Sequence, residues 1–110
     1  MVHIEQLNGD WISKDYYPQH LGKDGYKIKF RFSDDSGTAS VIIIGNKSET
    51  ILYNGGIQIK PRSGDEFYLI IDRESIPVKN FENDRFIAQV PDYGQVTVYK
   101  SKVLGIRMSF

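Results

Sequence analysis

Residues 26–32 read Tyr-Lys-Ile-Lys-Phe-Arg-Phe, and this alternation constrains the fold more than any other feature of the chain. In a helix these side chains would scatter around the axis. In a strand, Tyr26, Ile28, Phe30 and Phe32 share one face while Lys27, Lys29 and Arg31 share the other. The turn Ser33-Asp34-Asp35-Ser36-Gly37 follows, and then residues 38–45, Thr-Ala-Ser-Val-Ile-Ile-Ile-Gly, complete a hairpin whose run Val41 to Ile44 is apolar on both faces.

The same signal recurs along the chain. Glu-Thr-Ile-Leu-Tyr (49–53) and Ile-Gln-Ile-Lys (57–60) flank Asn54-Gly55-Gly56, a sequence suited to the positive φ angles of a tight hairpin. Phe-Tyr-Leu-Ile-Ile-Asp (67–72) predicts a further strand. Pro77 and the polar cluster from Asn80 to Asp84 break the next region into two short strands, around Val78 and over Phe86–Val90. Pro91-Asp92-Tyr93-Gly94 is a turn before the alternating segment 95–102, and the tail 103–110 fits a last strand with Ile106, Met108 and Phe110 on one face. No segment holds a helical period for three turns, and Pro18 interrupts the one candidate, Ser13–Leu21.

Turns spaced roughly ten residues apart are the mark of an antiparallel sandwich or barrel. Closing the sheet removes exposed edges, so the expected fold is all-β: a closed or nearly closed antiparallel barrel of about eight short strands. The chain of 110 residues is long enough for a single domain with its own core, and that domain is expected to span 1–110.

Composition narrows the chemistry. The absence of cysteine excludes disulfides, cysteine-bound metals and thiol catalysis, and neither His3 nor His20 has a second histidine at i+2, i+3 or i+4. No metal and no cofactor are expected. Fourteen basic residues balance fourteen acidic ones, which argues against nucleic acid or an anionic membrane as the principal partner. The basic row Lys27, Lys29, Arg31 could meet phosphates, but the aromatics of that strand point the other way. The N-terminal sequence lacks the pattern of a signal peptide, and no apolar run is long enough for a membrane helix. A cytoplasmic location is expected, although a mature exported chain carrying an added Met would begin in the same way.

The carboxylate pairs Asp34-Asp35, Asp65-Glu66 and Glu82/Asp84 all fall in turns, where local hydrogen bonding accounts for them. No serine lies in a nucleophile-elbow context, and Asn54-Gly55-Gly56 has no helix after it to make a phosphate loop. The chain is therefore expected not to be an enzyme.

Leu7, Gly9 and Trp11, in the stretch Leu-Asn-Gly-Asp-Trp, resemble the Gly-x-Trp motif that opens the first strand of lipocalin-like barrels, the calycin superfamily. The resemblance implies that Trp11 plugs the closed end of a barrel and that a cation from the last strand stacks across it, with Lys100 and Arg107 as the candidates. The chain is shorter than a typical lipocalin. Inward side chains such as Phe30, Phe32, Phe67 and Phe86 are then expected to fill the interior, although a small apolar ligand lined by Phe30, Phe32 and Phe67 is the alternative.

The staphostatins, small barrel inhibitors of cysteine proteases, also carry a Gly-acid-Trp, and place an inhibitory glycine ahead of their final strand. The sequence Lys-Val-Leu-Gly-Ile-Arg-Met-Ser-Phe is similar, with Gly105 in the corresponding place. A β-bulge in the last strand is the simpler account of Gly105. Tyr16, Tyr17 and Tyr93 lie in predicted loops beside Pro18 and Pro91, where tyrosines make good contacts to a protein. The expected function is thus non-enzymatic: binding of a protein partner through Tyr16, Tyr17, Tyr93 and Gly105, as an inhibitor of a protease or another enzyme. A monomer or weak dimer is expected.

Overall fold

The structure is a computed structural model that describes residues 3–64 and 66–101. Eight antiparallel strands close into a barrel in simple sequence order. They are β1 (Gly9–Ser13), β2 (Lys27–Ser33), β3 (Thr38–Ile44), β4 (Glu49–Pro61), β5 (Phe67–Ile71), β6 (Glu74–Lys79), β7 (Arg85–Val90) and β8 (Gly94–Lys100). β1 pairs with both β2 and β8, and the last register pair of that seam sets Trp11 opposite Lys100. No free edge is left between first strand and last.

The alternation seen in the sequence becomes the barrel's inside and outside. Ile28, Phe30 and Phe32 of β2, Phe67, Leu69 and Ile71 of β5, and Phe86, Ala88 and Val90 of β7 are buried, while their neighbours are partly or fully exposed. At about 1.5–3 kcal/mol for each fully buried large apolar side chain, this layer is the main favourable term in folding.

Two segments depart from their sequence reading. Asn54-Gly55-Gly56 is not a turn: β4 runs unbroken for 13 residues, pairing first with β3 and then, from Ile57 onward, with β5. At Gly55 the glycine serves a close approach. A Cβ on Gly55, whose φ is 157°, would lie 3.0 Å from the Cβ of Asp72, so the β5–β6 turn packs directly on bare backbone. Pro77, expected to break the chain, sits inside β6 opposite Tyr68. The β6–β7 ladder starts only at Val78, so Pro77 lies outside it.

Short helical pieces cap the barrel. Helix α1 (Ile4–Leu7) precedes β1, and a 3-10 segment (Gln19–Asp24) follows Pro18 in the β1–β2 loop. The tail expected as a last strand lies outside the described residues, and β8 is the strand that closes the barrel.

Candidate functional site

The two ends of the barrel differ in kind. At the end where β1 begins, Trp11 is fully buried and its indole Nε1 donates to the carbonyl of Leu7, 2.7 Å away, which ties α1 across the opening. Phe86 and Phe81 pack on the indole with ring centroids at 4.9 and 5.9 Å. Lys100 Nζ lies 5.4 Å from the Trp11 ring, the cation the first-strand motif implies. This end is a plug. Arg107, the other candidate cation, lies outside the described residues, as do Gly105 and Asp65.

The interior above the plug is packed with aromatics. Phe30 meets Phe86 edge-on at 5.4 Å and Phe32 at 6.0 Å, and Phe67 meets Phe81 at 6.0 Å. Phe30, Phe32 and Phe67, the residues suggested for a ligand cavity, are at most 4 % exposed, and none lines any of the clefts described below.

At the opposite end lie the β1–β2 loop and the β3–β4, β5–β6 and β7–β8 turns. Five of the seven tyrosines gather there: Tyr16, Tyr17, Tyr26, Tyr53 and Tyr93. Tyr26 is 39 % exposed and meets the edge of Tyr93 at 6.3 Å. It continues the inward face of β2, but one step beyond the strand, so the alternation that buries Ile28 lifts Tyr26 over the mouth. Tyr16 is likewise 39 % exposed, with Lys27 Nζ 5.5 Å from its ring centroid.

Tyr17 corrects one expectation. It is 2 % exposed and belongs to the core, so it does not offer a loop contact. Its backbone pairs with Tyr26, and its hydroxyl accepts a hydrogen bond from the Thr97 amide at 3.2 Å, fastening the loop to β8. Tyr93 is partly buried against the core, leaving part of its ring available. Ser13, which nothing in its sequence context singles out, completes the anchorage: its buried hydroxyl donates to the Asp15 carbonyl and accepts from the Ile28 amide, both at 2.9 Å.

Two clefts flank the mouth. One, of about 450 Å³, runs between Tyr17, Pro18 and His20 on one side and Tyr93 and Thr97 on the other. The second, of about 780 Å³, lies between the β1–β2 loop and the β3–β4 turn, with Tyr16 and Tyr26 in its wall. A third, of about 280 Å³, lies where the β6–β7 ladder stops short of Pro77. Tyr53 sits near Glu74, Asp92 and Tyr93, and burial, reinforced by those negative charges, raises its hydroxyl above the usual tyrosine pKa.

The basic row on β2 is largely engaged. Asp10, placed between Gly9 and Trp11, holds Lys29 at 3.6 Å and Arg31 at 3.1 Å, while Lys27 turns toward Tyr16. Among the described residues no three His, Cys, Asp or Glu side chains converge as a metal site would require, and no helix is long and apolar enough to cross a membrane. Comparison of the chain with protein-family models, with curated proteins and with solved structures finds no match.

Proposed function

We propose that this chain is a calycin-type barrel that works by binding a protein partner at its tyrosine-rich mouth, as an inhibitor of a protease or another enzyme. The carrying observation is the asymmetry of the two ends. Trp11, Leu7 and Lys100 close one with buried contacts, while at the other Tyr16 and Tyr26 stand exposed above open clefts.

Tyrosine suits such a surface because it brings a large, rigid, amphipathic contact area at low entropic cost. The mouth is held in shape by Tyr17, Ser13 and the Tyr26–Tyr93 contact, so less ordering is required on binding. The packed interior argues against the alternative of an apolar ligand carrier, which needs enclosed volume near Phe30 and Phe67. A location in the cytoplasm and a catalytically silent barrel belong to the same reading.

Affinity capture from the source cell tests it. Wild type is expected to retain a specific protein that Tyr16→Ala/Tyr26→Ala, folded by circular dichroism, releases. Capture of the same proteins by both forms would remove the mouth from the account. A Gly105→Arg variant separately tests the tail glycine as an inhibitory contact; unchanged capture and unchanged inhibition of the retained enzyme would exclude it.

A further inference from the structure

The larger mouth cleft carries a charge pattern at odds with the neutral chain around it. Its wall holds Lys23, Lys27 and Lys47 beside Tyr16 and Tyr26, and Asp24 is the one acidic side chain among its described lining residues. Elsewhere among the described residues Lys29 and Arg31 meet Asp10, Arg62 meets Glu66 and Arg85 meets Glu82, while Lys14, Lys60, Arg73, Lys79 and Lys100 have no ion pair and line none of this cleft. Among the described residues, Lys23, Lys27 and Lys47 have no carboxylate within ion-pairing distance. In a chain with a net charge of zero, three such lysines beside the one carboxylate of Asp24 give this cleft a local positive excess.

We infer that this cleft receives an acidic peptide segment of the protein partner, with the lysines meeting its carboxylates and Tyr26 and Tyr16 covering its aliphatic parts. This inference rests on the partner-binding reading of the mouth and specifies the partner's chemistry.

Carboxylates fit better than a nucleic-acid strand. Base stacking needs open aromatic faces. Here Lys27 already occupies a face of the Tyr16 ring, and Tyr26 rests on the Gly45 backbone so closely that a Cβ there would lie 3.3 Å from its ring. A volume of about 780 Å³, open to solvent, accommodates a few extended residues without burying them wholly.

Fluorescence anisotropy on the full chain tests the inference with three labelled probes of equal length: a Glu/Asp-rich peptide, its Gln/Asn counterpart and a thymidine oligonucleotide. The acidic peptide is expected to bind and the neutral one not. Binding should weaken as salt rises from about 0.01 to about 0.15 M and the screening length falls from ~30 to ~8 Å. Each of Lys23→Gln, Lys27→Gln and Lys47→Gln should weaken binding about two- to fivefold, the range for exposed charge pairs. Lys60→Gln, on exposed β4 away from the cleft, should change nothing.

Three results overturn the inference: no binding of the acidic peptide, equal loss with Lys60→Gln, or tighter binding of the oligonucleotide. Applying the triple Lys→Gln variant to the captured partner separates the two readings. If the tyrosine variant releases the partner and the lysine variant keeps it, the mouth stands and the acidic chemistry falls. If neither releases it, both fall.

Discussion

Trp11 and Lys100 face each other across the seam that closes the barrel, paired in register on β1 and β8 with the ammonium 5.4 Å from the indole ring. The lysine stem also passes Gly9, where a Cβ would lie 3.8 Å from Cε. First and last strands are thus joined twice, by ladder hydrogen bonds and by a cation over an aromatic face. Replacing Lys100 by Met keeps the stem and removes the charge. The expected loss is about 0.5–2 kcal/mol by denaturant unfolding, while Trp11→Ala, which empties the floor, should cost about 3–5 kcal/mol. An unchanged midpoint for Lys100→Met would show that the stem alone does the work.

Ser13 Oγ accepts the amide of Ile28 at 2.9 Å, and both ends of that bond are buried. Ser13→Ala is expected to cost about 1–3 kcal/mol, because the amide loses its partner without gaining water. Amide exchange at Ile28 should quicken in parallel. Tyr17→Phe keeps the ring in the core and removes the acceptor for Thr97, with an expected loss of about 0.5–1.5 kcal/mol.

The approach of Asp72 to β4 makes neighbouring glycines unequal. Gly55→Ala drives a methyl into Asp72 and should destabilise by about 1–3 kcal/mol. Gly56→Ala meets nothing within 4 Å and should be tolerated. Equal effects in thermal unfolding would contradict the packing of the β5–β6 turn on β4.

Tyr53 gives the mouth an alkaline dependence. Its hydroxyl holds the proton more tightly folded than unfolded, so its contribution is complete below the usual tyrosine value of 10.0 and lost as pH rises through the folded value. Stability should therefore fall less steeply above about pH 10 in Tyr53→Phe than in wild type. Parallel stability curves for the two would contradict the upward shift of that hydroxyl.

The barrel itself was legible because its strands are half buried, and half burial writes period two into the chain. Phe30 against Lys29 and Val96 against Thr97 announce inside and outside residue by residue. The Asn54-Gly55-Gly56 turn misled because glycine permits both a hairpin and a close backbone approach, and only the distant Asp72 decides between them. Phe81 was hidden by its polar neighbours Asn80 and Glu82, although it contacts Trp11, Phe67 and Phe86. At the mouth, Tyr16 read correctly as an exposed loop residue. Tyr17 did not, since its burial depends on β8, eighty positions away at Thr97. Tyr26 shares the face of Ile28, and the alternation that places it there does not reveal where the strand ends.

Hydrogen–deuterium exchange on the chain, free and bound to its captured partner, tests the division between a structural floor and a binding mouth most directly. The account predicts new protection in the 3-10 segment Gln19–Asp24 and at residues 45–48 and 91–93, with residues 9–11 and 80–84 unchanged. Protection centred on Trp11 and Phe81, with the mouth exchanging as before, would contradict it.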